Sequence, residues 1–130
     1  MSDYPEDLRY TQEHEWIRLQ GDTTVQIGIT RFAVEQLGDV TMLELPQEGA
    51  AITKNEVFGT VESVKAVSDL FAPVDGTVKK VNAPLGDTPE TINEDPYVAG
   101  WMIEVEVADP SQIELLMTAA AYTKFLADQA

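Results

Sequence analysis

The chain has 130 residues, 44% of them hydrophobic and 24% charged, so it fits one domain with a substantial core. Eight Lys and Arg residues stand against 23 Asp and Glu, and the formal charge of -15 disfavours nucleic-acid and anionic-membrane partners. The absence of cysteine excludes disulfides, thiol catalysis and Cys-based metal sites, and the single histidine, His14, excludes a two-histidine metal site within one chain.

Residues 1–7 are acidic and include a proline, unlike a secretory signal or a basic transit peptide. No apolar run in the sequence approaches the roughly 20 residues that a membrane-spanning helix needs. We therefore expect a soluble protein of a reducing compartment. This is either the cytoplasm of a bacterium or an organelle matrix, if the chain is a processed mature form.

Alternation of apolar and polar residues with period 2 predicts short strands in the first part of the chain. Residues 16–19 and 25–29 are strand candidates, joined by a turn at 20–22. The period of the apolar residues then changes to that of a helix. Thr30 can cap this short helix, and Gly38 can end it. The predicted buried face of this helix consists of Ala33, Val34 and Leu37.

Further short strands alternate with Gly/Pro turns, a pattern typical of a compact β-sandwich or barrel. They are predicted at 40–45, 57–63, 66–72, 77–82 and 101–107. In the last one, the odd-numbered residues from Ile103 to Val107 are expected to face inward. The even-numbered residues, including Met102, are expected to face outward. Residues 83–100 contain three prolines and are predicted to be a wrapped connection.

The C-terminal residues are predicted to be helical. Asp109 as N-cap and Pro110 in the first turn favour one helix, and Thr118 can cap a second. We expect both helices to cover one edge or end of the sheet rather than to form an exposed partner-binding surface. The predicted organisation is a single domain, 1–130, with a β core at about 8–108 and a helical segment at about 110–128.

A weak internal mirror centres on Lys65. Strand candidates 57–63 and 66–72 flank it, and turn-plus-strand units at 48–53 and 75–81 lie outside them. The pattern predicts two similar halves packed about a hairpin, with Lys65 at its tip. A lone turn lysine is usually an ordinary solvated charge. However, a carrier protein needs an amine on a flexible stem at the end of a rigid hairpin.

Motifs for other chemistry are absent from the sequence, which contains no phosphate-binding glycine loop, dinucleotide fingerprint or calcium loop. An acidic hydrolase stays open as a minor alternative, because 23 acids form many chance pairs. His14 lies between Glu13 and Glu15, and the simplest interpretation makes it a surface or strand-edge residue.

Segments 62–66 (Glu-Ser-Val-Lys-Ala), 68–69 (Ser-Asp) and 72–78 (Ala-Pro-Val-Asp-Gly-Thr-Val) resemble the lipoyl-lysine hairpin of the H-protein family of the glycine cleavage system. The family's order is also followed by His14-Glu15-Trp16, Gly28-Ile29-Thr30, Leu37-Gly38-Asp39, Leu45-Pro46, Ile92-Asn93, Pro96-Tyr97, Gly100-Trp101-Met102, Leu115-Leu116 and Ala121-Tyr122. The resemblance spans about residues 8–126. Biotin carriers and dehydrogenase lipoyl domains match less well.

This resemblance implies a mainly β, barrel-sandwich hybrid fold of the lipoyl/biotinyl-domain type, and a non-catalytic carrier function. Lys65 would bear lipoate through an amide bond. The protein would carry the aminomethyl group from the glycine decarboxylase (P protein) to the aminomethyltransferase (T protein). Dihydrolipoamide dehydrogenase (L protein) would then reoxidise the dihydrolipoyl arm, so the thiol chemistry belongs to the cofactor.

The resemblance also suggests roles for acids near the arm. Glu62 and Asp69 are candidate recognition residues for the lipoate- or octanoate-attaching enzyme. Glu15 and Asp69, with Glu13 behind them, are candidates to pair with the carried amine in an arm-holding groove. For each acid the alternative is a solvated surface charge.

One departure from the family concerns the short helix, where many members carry a histidine and this chain has Phe32 or Gln36. At such a position Phe32 can only pack against the arm, and Gln36 can only form hydrogen bonds with it.

Two rival functions share the same residues. A lipoyl relay protein would donate lipoate to other complexes, and an unmodified interaction module would leave Lys65 free. We expect a monomer whose contacts with partner enzymes are transient and salt-sensitive.

Overall fold

A computed structural model describes residues 8–19, 23–97, 99–109 and 111–129. The acidic segment 1–7, the predicted turn at 20–22 and the predicted first-turn Pro110 lie outside the described residues.

Nine strands and five helices form within the described residues. The strands are β1 (Arg9–Tyr10), β2 (Glu15–Leu19), β3 (Thr24–Ile29), β4 (Val40–Glu44), β5 (Ala51–Ile52), β6 (Val57–Ser63), β7 (Val67–Phe71), β8 (Gly76–Val81) and β9 (Ile103–Val107). The helices are α1 (Arg31–Leu37), α2 (Pro84–Asp87), α3 (Thr91–Glu94), α4 (Ser111–Glu114) and α5 (Ala119–Gln129).

The strands form two antiparallel sheets. The larger has the order β1-β2-β3-β9-β8-β5, and the smaller has the order β4-β6-β7. Buried side chains of both sheets, such as Val25 and Val105 from the larger and Val61 and Leu70 from the smaller, meet in one hydrophobic core. The two-layer arrangement follows from the predicted alternation, since each sheet has one apolar face to bury.

The short helix α1 forms where the sequence predicts it. The Thr30 hydroxyl accepts a hydrogen bond from Ala33 N at 3.3 Å, which caps the first turn. Gly38 ends the helix with φ 77°, a left-handed conformation that favours glycine. Val34 and Leu37 are buried, so the predicted apolar face packs on the core.

The internal mirror corresponds to real strand pairing. Strand β6 pairs with β7 through the central hairpin, and Glu62 lies opposite Val67 at the last pair before the tip. Strand β5 pairs with β8, with Ala51 opposite Thr77. The two turn-plus-strand units that the sequence places outside the hairpin are thus neighbours in the larger sheet.

Some predictions need correction. Met102 is fully buried rather than outward-facing, because β9 begins only at Ile103 and the alternation does not extend back to it. Its backbone N–H donates to Ile27 O at 2.8 Å, which holds it over the core. Residues 83–100 contain the one-turn helices α2 and α3, and the two-residue strand β1 was not predicted.

Helix α5 covers the β1 edge of the larger sheet, as predicted for the C-terminal helices, whereas α4 bonds through Gln112 to Asp75, just before β8. Tyr10 and Met117 exchange two backbone hydrogen bonds of 2.8 and 2.9 Å, and Tyr10 stacks on Tyr122 with ring centroids 4.7 Å apart. The Thr118 hydroxyl accepts from Ala121 N at 3.2 Å, in its predicted capping position. Within the described ranges, no helix is both long enough and apolar enough to cross a membrane.

Candidate functional site

Lys65 lies at the exposed tip of the hairpin between β6 and β7. The Ser63 hydroxyl accepts hydrogen bonds from Lys65 N at 3.2 Å and Ala66 N at 3.1 Å. Ser63 N also donates to Ala66 O at 2.8 Å. The tip backbone is therefore fixed by its own hydrogen bonds, while the lysine side chain is exposed.

The hairpin tip presents apolar as well as charged side chains. Val64 and Val67 are 68% and 64% exposed, although valine is usually buried. Met42 on β4 is 51% exposed and lies opposite Glu62, which in turn lies opposite Val67. The side chains of Met42, Glu62 and Val67 form one cross-strand row on the outer face of the smaller sheet.

The two predicted recognition residues lie on the hairpin beside Lys65. Glu62 is half-exposed on β6, and Asp69 is exposed on β7 opposite Thr60. Since Thr60 and Glu62 are two residues apart on one strand, Glu62 and Asp69 share a face of the hairpin. The structure thus brings both acids to one accessible surface.

A cavity of about 560 Å³ opens beside the hairpin, between β7, helix α1 and the turn that precedes β2. Ala66, the residue after Lys65, borders it. Its polar and aromatic lining includes Glu13, His14, Glu15, Phe32, Gln36, Asp69 and Phe71. The three acids proposed for an arm-holding groove therefore border one cavity next to the lysine. Phe32 and Gln36, the helix residues at which many family members have a histidine, border the same cavity.

Glu15 differs from the other acids because it is buried, with only 2% of its surface exposed. One carboxyl oxygen accepts from the Thr11 hydroxyl at 2.9 Å, and the other accepts from Phe71 N at 3.1 Å. Burial raises the pKa of Glu15 to about 8, although these two hydrogen bonds oppose the shift. The interpretation as a solvated surface charge is therefore wrong for Glu15, whereas Glu13 and Asp69 are exposed.

His14 forms the wall of the cavity nearest the C-terminal helix. Its Nδ1 lies 2.8 Å from the Tyr122 hydroxyl, which lies 2.8 Å from the Thr30 hydroxyl. Its ring is 4.6 Å from that of Phe32, and its backbone has φ 70°, an uncommon conformation for a non-glycine residue. Burial lowers the pKa of His14, so the neutral ring is favoured at pH 7. His14 is half-buried and directly precedes β2, so of the two predicted positions the strand edge fits the structure and a simple surface position does not.

Comparison with known proteins gives the family. The family model for the glycine cleavage H-protein matches residues 8–129. The chain belongs to the glycine cleavage H-protein family. The glycine cleavage system H protein of Anaeromyxobacter sp. (strain K) is 60% identical over 125 residues, covering 96% of this chain and 97% of that protein. The H protein of Myxococcus xanthus is 54% identical over 122 residues, 94% of each chain.

A solved structure supports the same assignment. The crystal structure of a glycine cleavage system H protein from Mycobacterium marinum superposes with a TM-score of 0.88 at 41% identity. The match covers 95% of this chain and 98% of that one. The predicted fold class, mainly β of the barrel-sandwich type with a short internal helix and C-terminal helices, is confirmed. Family membership supports the role of a carrier component in the glycine cleavage system.

Proposed function

We propose that Lys65 bears lipoate and that the protein carries the aminomethyl group of glycine between enzymes. It would receive the group from the P protein, deliver it to the T protein, and present the reduced arm to the L protein. The observation that supports this most is a lysine at the exposed, internally hydrogen-bonded tip of a hairpin, in a chain of the H-protein family. Such a lysine is accessible to a modifying enzyme and can reach several active sites.

The residues beside Lys65 fit a lipoyl arm. The cavity of about 560 Å³ has the size of a small-molecule site, and it begins at Ala66, next to the attachment point. Leu37 and Phe32 offer apolar contact, and Gln36 offers a hydrogen bond. Lipoate would supply the disulfide and dithiol pair that a cysteine-free chain lacks.

Glu15 and Asp69, with Glu13 at the rim, are proposed to hold the positively charged amine of the cargo. Asp69 is exposed at the cavity edge, whereas Glu15 lies inside with a raised pKa. A nearby cation would lower the pKa of Glu15 and favour its carboxylate. Glu15→Ala should therefore shorten the lifetime of the carried group. An unchanged lifetime would remove Glu15 from this role.

Recognition by the lipoate- or octanoate-attaching enzyme is proposed to use Glu62 and Asp69, because both lie on one face of the hairpin that carries Lys65. Glu62→Gln and Asp69→Asn should each slow attachment. Glu104→Gln on the distant strand β9 is the matched control and should leave attachment at the wild-type rate.

The remaining properties are proposed from charge and connectivity. A surface with a formal charge of -15 suits transient, salt-sensitive docking on basic rims of partner enzymes. We propose a monomeric, cytoplasmic protein with a single carrier domain. Backbone bonds between Tyr10 and Met117 tie the helical segment to the β core, so one cooperative unfolding transition is expected.

Intact mass spectrometry of the native protein, with peptide mapping of residues 61–70, tests the attachment. One lipoyl or octanoyl adduct on Lys65 is expected, and its amide would change the formal charge from -15 to -16. Lys65→Arg should prevent the adduct while keeping the fold. A bare Lys65 in a host that lipoylates its other carriers would refute the proposal and favour the unmodified interaction module.

Reconstitution with the P, T and L proteins separates glycine cleavage from a relay role. Glycine-dependent reduction of the arm and release of ammonia are expected. A lipoylated protein that supports neither reaction, yet donates its lipoate to another carrier, would establish the relay function instead.

A further inference from the structure

The side chain of Lys65 does not project straight into solvent, because it lies across Gly38. A Cβ atom placed on Gly38 would stand 3.0 Å from Lys65 Cε and 3.7 Å from Nζ. The first distance is tighter than ordinary van der Waals contact, so a side chain at position 38 would push the lysine stem away. Gly38 also has φ 77°, which favours glycine, whereas the flexible end of Lys65 can move aside when a Cβ is added.

The turn that contains Gly38 is attached to the hairpin tip on one side and to Asn93 on the other. Val64 N donates to Asp39 O at 3.0 Å, which joins the turn to the residue before Lys65. The Asn93 side-chain amide donates to Gly38 O at 2.8 Å, and its Oδ1 accepts from Val40 N at 2.9 Å. One amide group therefore holds both residues that flank Asp39.

We propose that residues 38–40 form a seat for the carrier lysine, with Gly38 leaving the space for its stem and Asn93 acting as a positioning residue. This inference rests on the proposed carrier function and adds how the arm is aimed. Asn93 acts through the turn, because its hydrogen bonds fix Gly38 O and Val40 N. These two groups lie on either side of Asp39 O, which accepts from Val64 N at the tip.

The seat gives the arm a direction. Gln36 and Leu37, which line the cavity, come directly before Gly38 on the chain. A stem held over Gly38 starts at the end of helix α1 and so at the mouth of the cavity. Holding the stem in place reduces the conformational entropy that the arm loses when it docks.

Gly38→Ala tests the seat, with Gly49→Ala as the matched control. Both glycines have positive φ, 77° and 90°, but a Cβ on Gly49 would meet nothing within 4 Å. Both variants place a side chain at a positive φ, and only at position 38 would the added Cβ meet Lys65. In the unmodified protein, we expect a nuclear Overhauser effect between the Lys65 ε-protons and the α-protons of residue 38. It should persist in Gly49→Ala and disappear in Gly38→Ala.

Asn93→Ala tests the positioning role independently, with Asn82→Ala as its control. The Asn82 amide also makes two hydrogen bonds, to Ala99 O at 3.0 Å and Trp101 O at 2.7 Å, on another part of the molecule. Asn93→Ala removes both hydrogen bonds that hold the turn, so we expect amide exchange of Val64 to become about fivefold faster. Asn82→Ala should leave it unchanged.

Two results would overturn the inference: a Lys65 contact that survives Gly38→Ala, or equal Val64 exchange in the two asparagine variants. In the lipoylated protein, Gly38→Ala should also shorten the lifetime of the carried group severalfold relative to Gly49→Ala. The resonance measurements use the unmodified chain. A bare Lys65 in the native protein would therefore refute the carrier function without deciding whether the seat exists.

Discussion

Replacing Glu15 with glutamine should remove part of the pH dependence of stability. The residue is 2% exposed and accepts hydrogen bonds from the Thr11 hydroxyl and Phe71 N. Glutamine keeps the shape, because its oxygen can accept from Phe71 N while its amide donates to the Thr11 hydroxyl. The variant thus removes the ionisation of Glu15 and leaves the packing in place.

The expected size of the effect follows from the pKa of Glu15, which burial raises from 4.5 to about 8. A carboxyl with a raised pKa holds its proton more tightly in the folded protein. Its contribution to stability is therefore complete below pH 4.5 and is lost as the pH rises towards 8. Each pH unit in that window costs about 1.4 kcal/mol. Between pH 5 and pH 7 the wild type should lose about 2–3 kcal/mol that Glu15→Gln does not lose.

Urea unfolding of the unmodified protein at pH 5, 6, 7 and 8, followed by the fluorescence of Trp16, which is buried, and of Trp101, measures this difference. Other titrating groups, such as Asp75, whose pKa is lowered by hydrogen bonds from Lys54 N and Gln112, cancel in the comparison. Glu114→Gln on exposed α4 is the control and should run parallel to the wild type. If the free energy of unfolding changes with pH equally in Glu15→Gln and in the wild type, the argument from the burial of Glu15 is refuted.

Three further outcomes are expected. Gly28→Ala should destabilise the protein by about 2–3 kcal/mol in urea unfolding, because the added Cβ would stand 2.6 Å from the Trp16 ring. Gly86→Ala is the control, since a Cβ there meets nothing within 4 Å. A smaller loss of stability in Gly28→Ala than in Gly86→Ala would contradict this prediction. Tyr122→Phe should cost about 1–2 kcal/mol, because the His14 and Thr30 contacts lose their phenol oxygen. In reconstituted glycine cleavage, the KM for this protein should rise with added NaCl, and a salt-independent KM would contradict docking through its acidic surface.

Much of the fold follows from local patterns in the sequence. The alternation at 25–29 predicts a strand with Val25, Ile27 and Ile29 on its buried face, and all three are buried in β3. Thr30 and Gly38 predict both ends of α1, because capping and left-handed backbone depend on single residues. The hairpin around Lys65 is predicted because its two strands are adjacent in sequence and their pairing is local.

The structural environment of the site could not be predicted in the same way. Glu15 follows two polar residues, and its burial depends on Phe71, 56 positions later, which donates to its carboxyl group. The contact between Asn93 and Gly38 likewise joins residues 55 positions apart. Periodicity reports which face of an element is apolar, but it does not report which distant backbone group a polar side chain meets. The sequence resemblance therefore identified the acids but not their different environments.

In its proposed arm-holding role, Glu15 would be unfavourable for stability and useful for function. At neutral pH the folded protein keeps Glu15 protonated while the unfolded chain ionises it, so the fold loses stability and glutamine would be the more stable choice. The proposed arm-holding role would use the carboxylate, which a nearby cation favours. Glu15→Gln separates the two roles, because it should raise stability at pH 7 and shorten the lifetime of the carried group. Higher stability at pH 7 with an unchanged lifetime of the carried group would leave Glu15 with a structural role alone.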